Sequence, residues 1–212
     1  MANLTPSQLP AGVNAAGTEP GVFDQSGVTV GLTVSQILAA GQPGAGGATA
    51  ASRRLTFPSV PIGSVAYASF GNSSTMVAGS IYYSSIWIPT NVTLTGIGVL
   101  IGTTGTTDNW TTALYNAAGT VLANSALAGA TVSTASTIQK FAFSPGTISV
   151  VGPALYYIAV QSNGTHATLA TVAASTFTDV QTGSTTGAFG TFTALTIAGT
   201  FTANVGPIGF AY

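Results

Sequence analysis

The sequence predicts an all-β protein: a jelly-roll-like antiparallel β-sandwich preceded by an extended N-terminal arm with one short helix. Three observations predict it. From Leu55 onward, short runs of apolar and polar residues alternate between Gly, Pro and Asn turn signals. A capped helical signature occurs only near the N-terminus, around residues 33–41. The chain has 212 residues and net charge −1, with only 3% charged residues. An ordinary soluble domain carries roughly 25%. Ser, Thr, Asn, Gln and 27 Gly supply the polarity instead.

The arm comes first. Residues 1–24 hold Pro6, Pro10 and Pro20 among several glycines and show no sustained period, which predicts an extended segment. GVTVGLTV, residues 27–34, alternates and predicts a short strand. Thr33 and Gln36 then fit a capping box, Val34 to Ala40 fits one or two helical turns, and Gly41 fits the left-handed stop. So short a helix is unstable alone, so its Ile37 and Leu38 face must dock on a partner surface. Val28, Val30, Leu32, Val34, Ile37 and Leu38 are therefore the candidate docking residues. The tether GQPGAGGATAAS, residues 41–52, is too rich in Gly and Ala to build a core. The division that follows is a docking arm and tether over 1–54 and a β-sandwich domain over 55–212.

Within the second part, strands are predicted at Val65–Phe70, Gly79–Ile88, Val92–Ile101, Trp110–Tyr115, Thr120–Ala123, Thr137–Phe143, Ala154–Gln161 and Ala167–Ala173, with more near the C-terminus. Turns fall at NAAG (116–119), SPG (144–146), VGP (151–153) and SNG (162–164). A sandwich of such strands needs apolar inner faces and polar outer faces. TFTALTIAGTFTAN, residues 191–204, repeats TFTA and predicts a strand pair.

The composition also excludes functions. Three basic residues cannot form the phosphate-neutralising footprint of a nucleic-acid-binding protein. Mean hydropathy is +0.50. No run approaches the ~18 apolar residues of a spanning helix, and MANLTPSQLP lacks the basic start and apolar core of a secretory signal. No membrane insertion is expected. With no Cys and a single His, a multi-His or thiolate metal site cannot be assembled, and no cofactor is expected.

Catalytic groups are equally few. A Ser-His-Asp arrangement would need His166 with Asp108 or Asp179, and no G-x-S-x-G elbow is present. A pair of carboxylates for glycoside cleavage reduces to Asp108 with Asp179. GIGVLIG, residues 96–102, misses the G-x-G-x-x-G spacing and reads as core strand. The chain is expected not to be an enzyme. The strongest binding signal is GTTDNWTT, residues 105–112. There Asp108, Asn109 and Trp110 could meet a sugar, the ring stacking on a pyranose face and the polar groups bonding its hydroxyls. YYSSIW, residues 82–87, offers a second set. Both tryptophans can instead serve as core or subunit-interface residues.

Residues 9–41, LPAGVNAAGTEPGVFDQSGVTVGLTVSQILAAG, resemble a segment near the N-terminus of many tailed-phage virion proteins. There a Gly-Thr-Glu phrase precedes a short strand and a brief Ala/Leu helix; here Pro20-Gly21 stands where such segments run on into hydrophobic residues. TALYNAAGTVLANS (112–125), FAFSPGTISV (141–150) and ALYYIAVQSNGT (154–165) are similar to sandwich domains of phage fibres. The resemblance implies a virion structural protein, commonly trimeric, attached by its arm to other virion proteins of the tail or capsid. It leaves three readings: a tail fibre or tail-associated adhesin touching a host surface glycan; a capsid decoration or head-fibre protein; and, remotely, a β-sandwich depolymerase.

Overall fold

A computed structural model describes residues 20–25, 28–33, 57–59, 71–105, 107–173 and 180–212. The chain divides into two compact units, Met1–Arg54 and Leu55–Tyr212.

In the first unit, β1 (Pro20–Gln25) pairs antiparallel with β2 (Val28–Thr33). Only Ser26 and Gly27 separate them in sequence, the loop length of a tight hairpin. Residues 20–25, the end of the segment read as extended, form a strand. The sequence obscured β1 because it opens on Pro20, a residue that strands tolerate only at their first position or at an edge. The register sets Leu32 opposite Gly21, Val30 opposite Phe23 and Val28 opposite Gln25. These pairs alternate with the Val22–Gly31 and Asp24–Thr29 pairs. The expected helix over Val34–Ala40 and the tether lie outside the described residues.

Among its described residues the second unit is all-β, built from several antiparallel sheets. The largest runs in the order β10 (Ala130–Thr131), β8 (Asn109–Asn116), β13 (Ala154–Ser162), β5 (Ile81–Ile88) and β15 (Thr182–Thr185), with β9 (Val121–Asn124) also on β8. The second runs β11 (Ile138–Ala142), β7 (Gly96–Leu100), β16 (Gly209–Ala211) and β3 (Phe57–Pro58). Two short pairs complete it: β14 (Thr168–Val172) with β4 (Gly71–Thr75), and β12 (Ile148–Val150) with β6 (Val92–Leu94). Bridges from Leu169 to Ile101 and from Thr171 to Pro207 join β14 to the second sheet.

One core cluster draws on both large sheets. Tyr82, Ile86, Ile88, Trp110, Leu114, Tyr156, Ile158 and Val160 come from the first; Ile97, Val99, Phe141 and Ala211 come from the second. Gly96 and Gly98 look away from it. A side chain at Gly98 would collide with the Phe210 ring, and one at Gly96 with the Tyr212 hydroxyl. GIGVL of this run is strand β7, and its two glycines make room for aromatic rings.

The polar outer face expected of the first sheet is not what the chain builds. Ile81, Tyr83, Ala113, Tyr115, Tyr157 and Ala159 form a second buried cluster on that face, closed by Leu195 with Phe192 and Ile197 packed against it. Residues 186–204 cover these strands as an irregular strap, and the strand pair expected over 191–204 does not form. The reason is visible in its hydrogen bonds, which go to separate places. Leu195 N donates to Gly119 O (2.8 Å), the Tyr115 hydroxyl donates to Thr193 O (3.0 Å), and Thr202 N donates to Thr182 Oγ1 (2.8 Å). The Gln161 amide nitrogen fastens one end, donating to Gly79 O (2.8 Å), Ala188 O (3.1 Å) and Thr191 O (3.1 Å). Burying a large apolar side chain contributes ~1.5–3 kcal/mol, so Leu195 is a main source of the strap's adhesion.

Candidate functional site

Asp108 lies where the 105–112 loop enters β8 and is 4% exposed. Its Oδ2 accepts the backbone N–H groups of His166 and Ala167, each at 2.7 Å. Its Oδ1 faces the His166 Nδ1 at 3.4 Å. A Cβ on Gly164 would strike the same carboxylate, so this turn closes on Asp108 only with Gly there. Thr107, just before, has φ 85°, a strained value for a β-branched residue. The two charge-assisted bonds of Asp108 offset that strain.

Asn109 is equally committed. Its N–H donates to Asn163 Oδ1 (2.7 Å), its carbonyl accepts from Asn163 N (3.0 Å), and its Oδ1 accepts from the Thr131 hydroxyl (3.1 Å). Trp110 is 0% exposed, on the core face of β8, in register with Ser162 and Ala130. Asp108, Asn109 and Trp110, the candidate glycan contact, are thus all engaged within the fold. A buried indole offers no face to a pyranose, and the carboxylate is spent on the 162–167 turn. These residues tie the β8 entry to the β13–β14 turn.

The second aromatic set behaves differently. Tyr82 and Tyr83 are buried on opposite faces of β5, but Trp87 is 56% exposed. It stands on the outer face opposite Leu155 and is the exposed one among the described Phe, Tyr and Trp side chains. Under the strap, burial pushes the phenols of Tyr83, Tyr115 and Tyr157 above their ordinary value. The Tyr83 and Tyr157 rings meet edge to face at 5.8 Å, and the Tyr157 hydroxyl donates to Gln181 Oε1.

His166 and Asp108 are brought together, with the imidazole 79% exposed and the carboxylate buried. Among the described residues, no hydroxyl hydrogen-bonds to that imidazole to complete a nucleophilic arrangement. Asp179 lies outside the described residues. So do Val34, Ile37 and Leu38, while Val28, Val30 and Leu32 fall in β2. Two shallow grooves, about 210 Å³ between Leu122–Asn124 and Phe143–Ile148 and about 330 Å³ between Asn91–Thr93 and Ser149–Val151, are lined by no titratable side chain. Among the described residues, no three His, Cys, Asp or Glu side chains gather as a metal site would require. No family model, curated protein or solved structure matches this chain.

Sequence reasoning weighed Trp87 and Trp110 alike. Strand phase could have separated them. Trp110 shares phase with Thr112 and Leu114, whereas Trp87 shares it with Tyr83 and Ser85, on the face that the strap covers only in part.

Proposed function

We propose that this chain is a non-catalytic structural component of a phage particle, attached through residues 1–54 and displaying residues 55–212 outward as a jelly-roll-like sandwich, in homo-oligomeric, trimeric form. The observation that carries the reading is the two-stranded β1–β2 hairpin. A two-stranded hairpin is marginal by itself in water, so it calls for a partner surface. The near absence of charge supports the same reading, because it removes the repulsion that keeps displayed copies apart.

Within that role, the burial of Trp110 favours a capsid decoration or head-fibre protein over a glycan-binding tip. An adhesin that stacks sugars wants several exposed rings together. The tail-fibre or tail-adhesin reading keeps one specific support, the open indole of Trp87 beside Leu155. A depolymerase finds no support in the surroundings of Asp108.

Cryo-electron microscopy of the intact particle tests this by locating residues 25–41. Density on the capsid shell is the expected result. Density in symmetry-related copies at the tail would replace it with the fibre reading, and absence of the chain from purified particles would overturn both.

A further inference from the structure

We infer that Asn163 is a site of spontaneous covalent modification, in which the folded turn directs its own amide toward succinimide formation and deamidation. Asn163 is followed by Gly164, and no other Asn in the chain precedes a Gly. No side chain on the following residue shields the backbone nitrogen of Gly164, whose N–H donates to Ser162 Oγ at 3.2 Å and gives up this long bond when it attacks. A bulkier residue is blocked at this turn, because a Cβ at Gly164 would collide with Asp108 Oδ1. The clamp that organises the turn thus imposes the vulnerable dipeptide. Asn163 is also exposed, so water reaches it.

A second feature activates the amide. Asn163 Oδ1 accepts the Asn109 N–H at 2.7 Å. A donor aimed at a carbonyl oxygen draws charge from its carbon and stabilises the oxyanion formed on attack, as in an oxyanion hole. The Gly164 nitrogen attacks Asn163 Cγ and loses its proton, while the Cγ–Nδ2 bond breaks and ammonia leaves with a proton. Water then opens the five-membered imide at either carbonyl. One opening gives aspartate, the other an isoaspartate that lengthens the main chain by one carbon. The net change is amide plus water to carboxylate plus ammonium, and no oxidant or enzyme is needed. Either product places a new negative charge close to the Asp108 carboxylate. The isoaspartate also displaces Gly164 and loosens the hold of Asp108 on His166 and Ala167.

The test is ageing of the purified full-length chain at mildly alkaline pH, followed by peptide mapping for the mass gain of an amide-to-acid change and by isoaspartyl methyltransferase labelling. The expected result is conversion at Asn163 ahead of the other asparagines, with both acids formed, and no label at this peptide in Asn163→Gln. The same ageing in urea separates the contribution of the fold: the folded chain should convert at least as fast as the unfolded one. Retention of the Asn163 amide while other asparagines convert would overturn the inference, as would conversion only after unfolding.

Discussion

Residues 20–33 and residues 71–212 both build antiparallel pairs, yet they differ in how many strands they bring together. The hairpin has two strands. The second unit covers both faces of its main sheet from its own chain, one with the second sheet and the other with the strap. The difference teaches how labour is divided. A sheet covered largely on both faces can fold unaided, whereas a two-stranded hairpin is marginal by itself in water.

The largest expected effect inside the self-sufficient unit is at its centre. Trp110→Ala removes a fully buried ring and should cost about 3–5 kcal/mol by denaturant unfolding. A loss well under this range would mean that the core is looser than its burial indicates.

The strap should come next. Gln161→Ala strips the carbonyls of Gly79, Ala188 and Thr191 of a buried donor and should cost about 1–3 kcal/mol. Amide exchange should rise selectively at the donor of the Leu195 N–H to Gly119 bond. Uniform exchange across the sheet would show that the strap is no separate closure.

How much of this was legible depends on which face a residue serves. The long strands at 81–88, 109–116 and 154–162 announced themselves through aromatic and β-branched runs. Their outer cover did not, because residues 186–204 bond to scattered partners and carry no strand period. The strand expected over Val92–Ile101 is broken at Thr95, whose N–H turns to Tyr212 O (2.6 Å) and whose carbonyl accepts from Phe143 N (2.9 Å). Gly71–Thr75 escaped notice because GNSST is a polar edge with no apolar alternation. Ala130–Thr131 and Ile148–Val150 are too short for any period to register. At the candidate site, the residue types were legible but the direction of their hydrogen bonds was not. Asp108 and Asn109 find their partners around residues 131 and 163–167, and no local pattern encodes such distant pairings. The strand expected at Val65–Phe70 lies outside the described residues.

A smaller and pH-dependent effect follows from the buried phenols. Burial raises Tyr115 most plainly, with Tyr83, Tyr157 and Tyr212 moved the same way from 10.0. The unfolded chain gives up these protons first. Stability should hold below about pH 10 and fall as pH climbs through the folded-state values. Tyr115→Phe should flatten that decline, at the cost of about 1 kcal/mol at neutral pH for the lost bond to Thr193. A decline as steep as in the parent chain would place the alkaline sensitivity elsewhere.

The smallest expected change in stability is at Trp87. Trp87→Ala should stay within about 0.5 kcal/mol of the parent, because the ring is largely in solvent. If it weakens attachment to host cells, the tail-adhesin reading gains; if attachment is unchanged, the decoration reading does.

The most direct measurement compares full-length chain with chain lacking residues 1–54, both for unfolding midpoint and for incorporation into particles. The account predicts the same midpoint for residues 55–212 and no incorporation of the truncated chain. A truncated chain that enters particles at the full-length level would contradict it.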